Sequence, residues 1–359
     1  MRISELAKGA ALAGAIGLLT LTSAMSADDK LVIGVVTAHH LDQFQERIWV
    51  GARAAAERLG VEVRLAAPDG FNPEAQLALV QDMANSGVDG IATPATSESM
   101  ADALNKIVAG GIPLVTFNIR SENVKAPYVG EKSTENARVL GRAVVEKLGG
   151  SGVSGKIITG LCAPGFPVLE NRGRGVAEGL KTAPGIEVLG PFDTKLAATE
   201  NYAAWESLAQ AHPDAIAMIG LCAPDIATLG KVKEAGGYKW LIAGYDTTAE
   251  NLDTMDRGLA WMAMGQSETM QGYMPVVMLV ESLRAGLKEV PIGYLDSGAE
   301  IVTRDNVDQP YGLPKLTFDE LRALAKDDKA LIEYYDHATI DGPLADWKSL
   351  LVPLAEESK

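Results

Sequence analysis

From Leu31 onward, short apolar runs alternate with amphipathic segments, and this alternation constrains the fold more than any other property of the chain. Leu31–Val36, Val61–Ala66, Gly90–Thr93 and Leu114–Phe117 read as buried strands. Gln43–Leu59, Pro73–Asn85 and Ser97–Ala109 read as the helices between them. Strands of about five residues alternating with helices of about a dozen imply right-handed βαβ units and a parallel sheet. Val88-Asp89-Gly90 and Gly110-Gly111-Ile112-Pro113 are the punctuation expected between helix and strand.

Around Tyr128–Ser133 this series ends, and a second of the same design begins with a helix over Thr134–Leu148. Strands follow near Lys156–Thr159, Glu187–Phe192, Ala215–Ile219, Trp240–Tyr245 and Ala260–Met264, with helices such as Val168–Leu180 between them. Two consecutive doubly wound series are more than one sheet should carry. The expected fold class is α/β, with two doubly wound parallel-sheet lobes and a C-terminal extension. The length agrees, since about 330 residues exceed what one compact core usually holds.

The N-terminus points to export. Arg2 and Lys8 precede an uncharged stretch from Gly9 to Ala24. That stretch falls short of the about 20 apolar residues of a membrane span, and suits the core of a signal peptide. Residues 1–27 are expected to be removed after Ala27 (or residues 1–24 after Ala24), leaving an exported protein. No cysteine stands near the cleavage point to carry a lipid. The formal net charge is −15. Loss of Arg2, Lys8 and Glu5 with the leader makes it −16. Such a surface repels nucleic acid and anionic lipid. His39, His40 and Asp42 cluster after the first strand but are too few for a metal site, and no cofactor motif is present.

One short repeat links matching positions. Gly160-Leu161-Cys162-Ala163-Pro164 recurs as Gly220-Leu221-Cys222-Ala223-Pro224, each copy directly after a strand of the second series. Ligands of open parallel sheets lie at the carboxyl ends of the strands, so both copies, and Cys222 with them, belong at a binding edge.

Several signposts, in their order and spacing, resemble one family. They are the first strand leading to Phe44 and Gly51-Ala52, the turn Ser86-Gly87-Val88-Asp89-Gly90-Ile91, and Gly110-Gly111-Ile112-Pro113-Leu114-Val115. Further along come Arg172-Gly173-Arg174-Gly175, Ala211-His212-Pro213-Asp214 and Ala243-Gly244-Tyr245-Asp246. From about Leu31 to Asn306 the chain resembles the periplasmic sugar-binding proteins of the ribose-binding type, which feed ATP-driven importers. The resemblance implies three crossings between lobes, near Gly130–Ser133, Gly265–Ser267 and Ser297–Ile301. The first lobe would hold residues 28–130 and 267–297, and the second 131–266 and 298–306. Residues 307–359 would pack on a lobe as an extension, with a helix over Thr317–Leu324 opened by the capping-box spacing of Thr317 and Glu320.

A polyol site needs paired hydrogen-bonding groups and a flat apolar wall. The resemblance places Asp246 as the carboxylate accepting two hydroxyls, with helix capping as its other reading. It places Gln266 beside the hinge and Phe44 as an aromatic wall or a core anchor. Asn118 stands at an aspartate position, with Arg120 near the family's arginine. Glu170 falls where ribose binders carry an arginine, and His40 and Asp42 lie close to the first strand. Glu170, Asp42 and Asp246 together would favour a cationic ligand such as an amino sugar. Pairing by Arg172 or Arg120 would leave a neutral sugar or polyol. Trp49, Trp205 and Trp261 are expected in the core. In the ribose-binding type the strands carrying the two pentapeptides are neighbours, about 4.8 Å apart. Cys162 and Cys222 would then be close enough for a disulfide, or would remain two thiols pointing to opposite sides.

These readings imply a monomeric, non-enzymatic receptor that closes on a small polar ligand and presents it to the membrane subunits of an ABC importer. Two alternatives use the same fold: a secreted enzyme, and a sensor that reports occupancy to a membrane receptor. The chain shows no phosphate loop and no nucleophile elbow. A DNA-binding regulator is excluded by the leader and by the charge.

Overall fold

The first strand, β1 (Val32–Val36), is apolar throughout and buried over its last four residues. Helix α1 (Gln43–Leu59) starts where the Asp42 side chain accepts from the Gln45 amide, and stops at Gly60 in the left-handed region. The computed structural model describes residues 30–340 and 342–354. The expected leader, residues 1–27, lies outside them. The first series continues with β2 (Glu62–Ala66), α2 (Pro73–Asn85), β3 (Gly90–Thr93), α3 (Ala101–Ala109), β4 (Leu114–Phe117) and β5 (Tyr128–Gly130). The second runs α4 (Ser133–Leu148), β6 (Ser154–Leu161), α5 (Pro167–Leu180), β7 (Gly185–Asp193), α6 (Ala198–Ala211) and β8 (Ala217–Gly220). It ends with α7 (Asp225–Gly236), β9 (Leu241–Tyr245), α8 (Ala249–Asp256) and β10 (Met262–Gly265). Then come α9 (Glu268–Arg284), β11 (Tyr294–Asp296), β12 (Glu300–Thr303), β13 (Asn306–Asp308), α10 (Phe318–Leu324), α11 (Asp328–Ile340) and α12 (Trp347–Leu350).

Two sheets result, ordered β11-β5-β4-β3-β1-β2 and β13-β12-β10-β9-β8-β6-β7. Every pairing is parallel except those of β12 with β10 and with β13. The chain leaves the first sheet after Gly130, returns to it from β10 through α9 to β11, and leaves again after Asp296. Helix α9 lies against α1 at a very close crossing. A Cβ at Gly51 would stand 2.0 Å from the Thr269 carbonyl oxygen, and one at Gly272 would stand 1.9 Å from that of Ile48. Only glycine fits at either point.

The segment after β12 divides itself between the two lobes instead of lying on one. Strand β13 extends the second sheet. Phe318, Leu321 and Ala325 join the second lobe's core around Trp205 and Met255. Leu331, Tyr334, Tyr335, Leu344 and Trp347 join the first lobe's core with Phe44, Ile48 and Tyr273. The reason is in the pattern: α10 and α11 carry separate apolar faces, with only Ala325-Lys326-Asp327 between them. Thr317 and Glu320 form the reciprocal cap.

Candidate functional site

A cavity of about 50 Å³ lies between the lobes, and its walls come from the carboxyl ends of strands in both sheets. The first lobe supplies His39, Asp42, Phe44 and Gln45 after β1, Phe71 after β2, and Asn118 and Ile119 after β4. The second supplies Cys162, Phe166 and the start of α5 after β6, Leu196 after β7, Cys222 and Ala223 after β8, and Asp246 after β9. Gln266 enters from the crossing after β10. Parallel strands aim their C-terminal loops at one edge, so two such edges facing each other make a cleft.

The polar centre is a chain of three side chains. The Gln266 amide nitrogen donates to the Asp246 carboxylate, and its amide oxygen accepts from Asn118 at 3.4 Å. The two ends come from different lobes, and the middle comes from the connection between them. Asp246 and Asn118 both sit in the left-handed region, at φ 72° and 56°, which Asn and Asp tolerate better than other non-glycine residues. Asn251 fixes the Asp246 turn, its amide nitrogen reaching the carbonyls of Ala223, Tyr245 and Asp246 at 2.8–3.1 Å. The Asn118 turn is held by its own N–H to Val129, at 3.0 Å, and by the Tyr128 hydroxyl, which donates to the Asn118 carbonyl at 2.8 Å.

Burial sets the charge states. It pushes the Asp246 carboxyl well above the usual carboxylate range; nearby Arg172 opposes this, while Glu268 and Asp42 add to it. Burial also pushes Asp42 up to about 6. It pulls His39 down to about 4, helped by neighbouring His40, so His39 is neutral at pH 7. The His39 Nδ1 accepts from the Leu41 amide at 3.1 Å, leaving Nε2 as the proton-bearing nitrogen, 3.9 Å from an Asp42 oxygen. Arg172 is buried and committed: Nε donates to Glu131 at 2.7 Å and Nη1 to the Leu221 carbonyl at 2.9 Å. Its guanidinium lies 3.9 Å from the centre of the Tyr245 ring.

The apolar wall is aromatic and spans the lobes. Phe71 meets the His39 ring edge-on at 4.3 Å and the Phe166 ring at 4.5 Å, the arrangement the ring quadrupoles favour. Phe71 follows a first-lobe strand and Phe166 a second-lobe strand, so this contact closes one side of the cleft. Cys162 and Cys222 form a disulfide with Cα atoms 6.1 Å apart. Their strands are neighbours, with Gly160 opposite Gly220, so the alternative of two separated thiols does not hold. Buried Asp225 anchors this floor, accepting from Cys222 N, Trp205 Nε1, Asn201 Nδ2 and Thr194 Oγ1 at 2.7–3.3 Å.

Of the residues expected from sequence, the cavity brings together Asp42, Phe44, Asn118, Cys222, Asp246 and Gln266. Phe44 serves both of its readings, lining the cavity while packing with Ile48 in the core. Three expected residues lie elsewhere. His40 is exposed, its Nδ1 3.1 Å from the Pro68 carbonyl, and its neighbour His39 turns inward instead. Arg120 lies beyond the Asn118 turn, with Nη1 donating to the Leu354 carbonyl at 3.1 Å. Glu170 is exposed and accepts from the Gly165 amide at 2.8 Å, closing the loop ahead of α5. Residues two apart on a helix point about 200° apart, so Arg172 facing the cavity turns Glu170 away. The case for an acidic pocket built on Glu170 therefore falls.

Sequence reading missed Gln45, Phe71 and Phe166, and it named Arg172 only as a possible partner for pocket carboxylates and His39 only as a loop histidine. The strand-end rule, applied to the loops after β2 and β6, would have found the two phenylalanines. Trp205 is core, and neither Trp49 nor Trp261 lines the cavity. Among the described residues no group of three His, Cys, Asp or Glu side chains could hold a metal.

Comparison with known proteins gives one family. The model of a periplasmic binding protein domain matches residues 33–288. GanP, a glucose-galactose binding protein from Geobacillus stearothermophilus, is similar at 23% identity and a TM-score of 0.71, over 79% of this chain and 99% of its own. An ABC transporter solute binding protein from Burkholderia graminis, in complex with D-arabinose, aligns at 22% identity and a TM-score of 0.73, over 79% and 98%. One from Agrobacterium vitis, bound with alpha-D-tagatopyranose, aligns at 19% and 0.68, over 78% and 97%. At these identities the likeness is one of fold. Nearly the whole of each relative is matched, while about a fifth of this chain has no counterpart in them.

Proposed function

The chain belongs to the periplasmic binding protein family, and on that premise we propose that it captures a small polyhydroxylated molecule between its lobes for an ABC importer. The observation that carries the reading is the chain Asn118–Gln266–Asp246. It puts hydrogen-bonding groups from both lobes and their connection around one small cavity, opposite the Phe71–Phe166 wall. Amide and carboxylate groups can donate to and accept from adjacent hydroxyls, while the rings cover the C–H face of a sugar. Arg172 is already neutralised by Glu131, which favours a neutral sugar or polyol over an anion.

We place the hinge at the three passages after Gly130, after Gly265 and after Asp296. The first lobe is then residues 28–130 and 267–297, the second 131–266 and 298–306. Ligand held by one lobe presents free hydroxyls to the other, and the closed form is selected by contacts that exist only there. The importer's membrane subunits would read that closed face, after export and removal of residues 1–27 have delivered the receptor to the periplasm.

A thermal-shift and calorimetric screen tests this with D-arabinose, D-glucose, D-galactose, D-tagatose, the 2-amino forms of the hexoses, and myo-inositol. A binder present at a hundred times its Kd stabilises the fold by about 2.7 kcal/mol. At least one neutral member should do so, and Asp246→Ala should abolish the effect. Failure of every member, or stabilisation that survives Asp246→Ala, would overturn the assignment of this cavity to sugars.

A further inference from the structure

We propose, resting on the hinge-closure reading above, that the C-terminal segment is a strap: a fourth connection between the lobes that limits how far they part. Its first half is fastened to the second lobe. Phe318, Leu321 and Ala325 are buried in that lobe's core, Arg322 pairs with Asp256 at 2.8 Å, and Lys326 pairs with Asp253 at 2.8 Å. Its second half is fastened to the first lobe. Tyr335 and Trp347 are buried in that core, the Trp347 indole donates to Glu281 of α9 at 3.0 Å, and Val352 pairs with Tyr294 through two backbone bonds of 2.8 and 3.1 Å.

Between α10 and α11 run Ala325, Lys326 and Asp327, of which the first two still touch the second lobe. Three residues reach about 10 Å at full extension, so the anchors cannot separate by much more than that while both hold. The link also lies against the seam where the lobes touch. Its Ala325 carbonyl accepts from Gln43 at 3.1 Å and from Arg47 at 3.4 Å, both on α1 of the first lobe. The same two side chains reach the second lobe directly: Ala249 N donates to Gln43 Oε1 at 2.8 Å, and Arg47 Nη1 donates to the Thr247 carbonyl at 3.1 Å. From the other side, the Tyr335 hydroxyl of α11 donates to Glu300 at the start of β12.

Two bodies joined by a short link at one edge can rotate about an axis through that link but cannot separate there. The cleft therefore opens as a narrow wedge on the side away from the strap. The alternative, release of α10 or α11, would expose apolar side chains that are now buried, Leu321 and Tyr335 at 4% each. The periplasmic binding protein domain model matches residues 33–288, so α10, α11 and α12 lie outside the part of the chain it describes.

The test lengthens the strap without removing its packing. Ten Gly and Ser residues inserted between Lys326 and Asp327 add a coil with a mean span of about 17 Å. Small-angle scattering of the ligand-free proteins should give the insertion variant the larger radius of gyration, against the about 20 Å expected of a compact chain this size. Equal radii would overturn the strap. Hydrogen exchange on the unmodified protein is an independent check that does not require the variant to fold. Amides of α10 and α11 should exchange as slowly as those of α1 and α9; faster exchange in either would mean that the helix lets go, and the proposal fails. Adding D-arabinose or D-galactose separates the two ideas. Closure by a sugar in both proteins with equal ligand-free radii removes only the strap. A difference in ligand-free radius with no sugar response removes the capture reading and leaves the strap standing.

Discussion

Each lobe buries one arginine against one glutamate beside a hinge passage, and the two pairs are built for different purposes. In the second lobe Arg172 bonds Glu131 at 2.7 Å, and Asn136 donates to the other Glu131 oxygen at 3.1 Å. All of these partners belong to the second lobe. In the first lobe Arg47 stands 3.7 Å from Glu268 and spends its hydrogen bonds on carbonyls of Thr247 and Ala325, across the seam. The Glu268 Oε1 has no hydrogen-bond partner in return. The second pair locks a wall in place, while the first holds two moving bodies together. The cavity follows the same division: its second-lobe face rests on a disulfide and on Asp225 with four donors, and its first-lobe face rests on a helix cap and packing.

The largest expected effect comes from breaking the locked pair. Arg172→Met would leave Glu131 charged and buried without its partner, a loss of about 3–5 kcal/mol. Urea unfolding should show Arg47→Met to be much milder, because its glutamate is barely paired already. Equal losses would break the comparison. Next in size is the disulfide. It closes a loop of sequence separation 60, and removing such a bridge typically costs about 2–4 kcal/mol. The double variant Cys162→Ser/Cys222→Ser should lose this in thermal unfolding and also bind more weakly, because Phe166 and Leu169 sit on the loop and helix that the bridge pins. Loss of stability with unchanged affinity would reduce the disulfide to a plain crosslink.

The seam offers a smaller effect on binding. Asp246 would contribute hydrogen bonds of about 0.5–1.5 kcal/mol each to ligand hydroxyls. Asp246→Asn keeps the shape but puts an N–H donor where an oxygen accepted, so calorimetry should show affinity about tenfold weaker, a decade per about 1.4 kcal/mol. Asn118→Ala, on the less fixed first-lobe face, should cost less. A larger loss at Asn118 would reverse the ranking of the two walls.

What the sequence made legible divides along the same line. Elements were readable because each is a local pattern: α1, α2, β3 and β4 fall on the expected residues. Six of the nine expected site residues line the cavity because strand ends in parallel sheets face one edge. Two of the three misses are errors of phase. His40 for His39, and Glu170 for Arg172, are each one or two positions from the residue that faces inward. Which one faces in depends on how the chain turns off the strand, and Gly165 in the left-handed region, followed by Pro167 in the first turn of α5, sets that rotation. The division of the tail between lobes was illegible for a different reason: its apolar faces are visible in sequence, but nothing local says that one meets Trp205 and Met255 and the other Phe44 and Ile48.

The smallest effect isolates the first-lobe cap. Asp42 and Asp225 are both pushed up to about 6 by burial, one in each lobe. A carboxyl whose pKa is higher folded than unfolded binds more protons in the native state, so stability is full below about 4 and falls as pH rises toward 6. Asp225→Asn cannot isolate this effect, because four donors point at that carboxylate and an amide would set its own N–H groups against them. Asp42→Asn can, since Asn caps a helix as well as Asp does and accepts from Gln45 N in the same way. The Asp42 side chain is 19% exposed, so solvent moderates the penalty to the order of 1 kcal/mol. Chemical denaturation at steps between pH 4 and 7 should show Asp42→Asn equal to wild type at the acidic end and more stable at the neutral end. A variant less stable by a constant amount across that range would mean that the charge on the cap, and not its burial beside the cavity, governs the first-lobe wall.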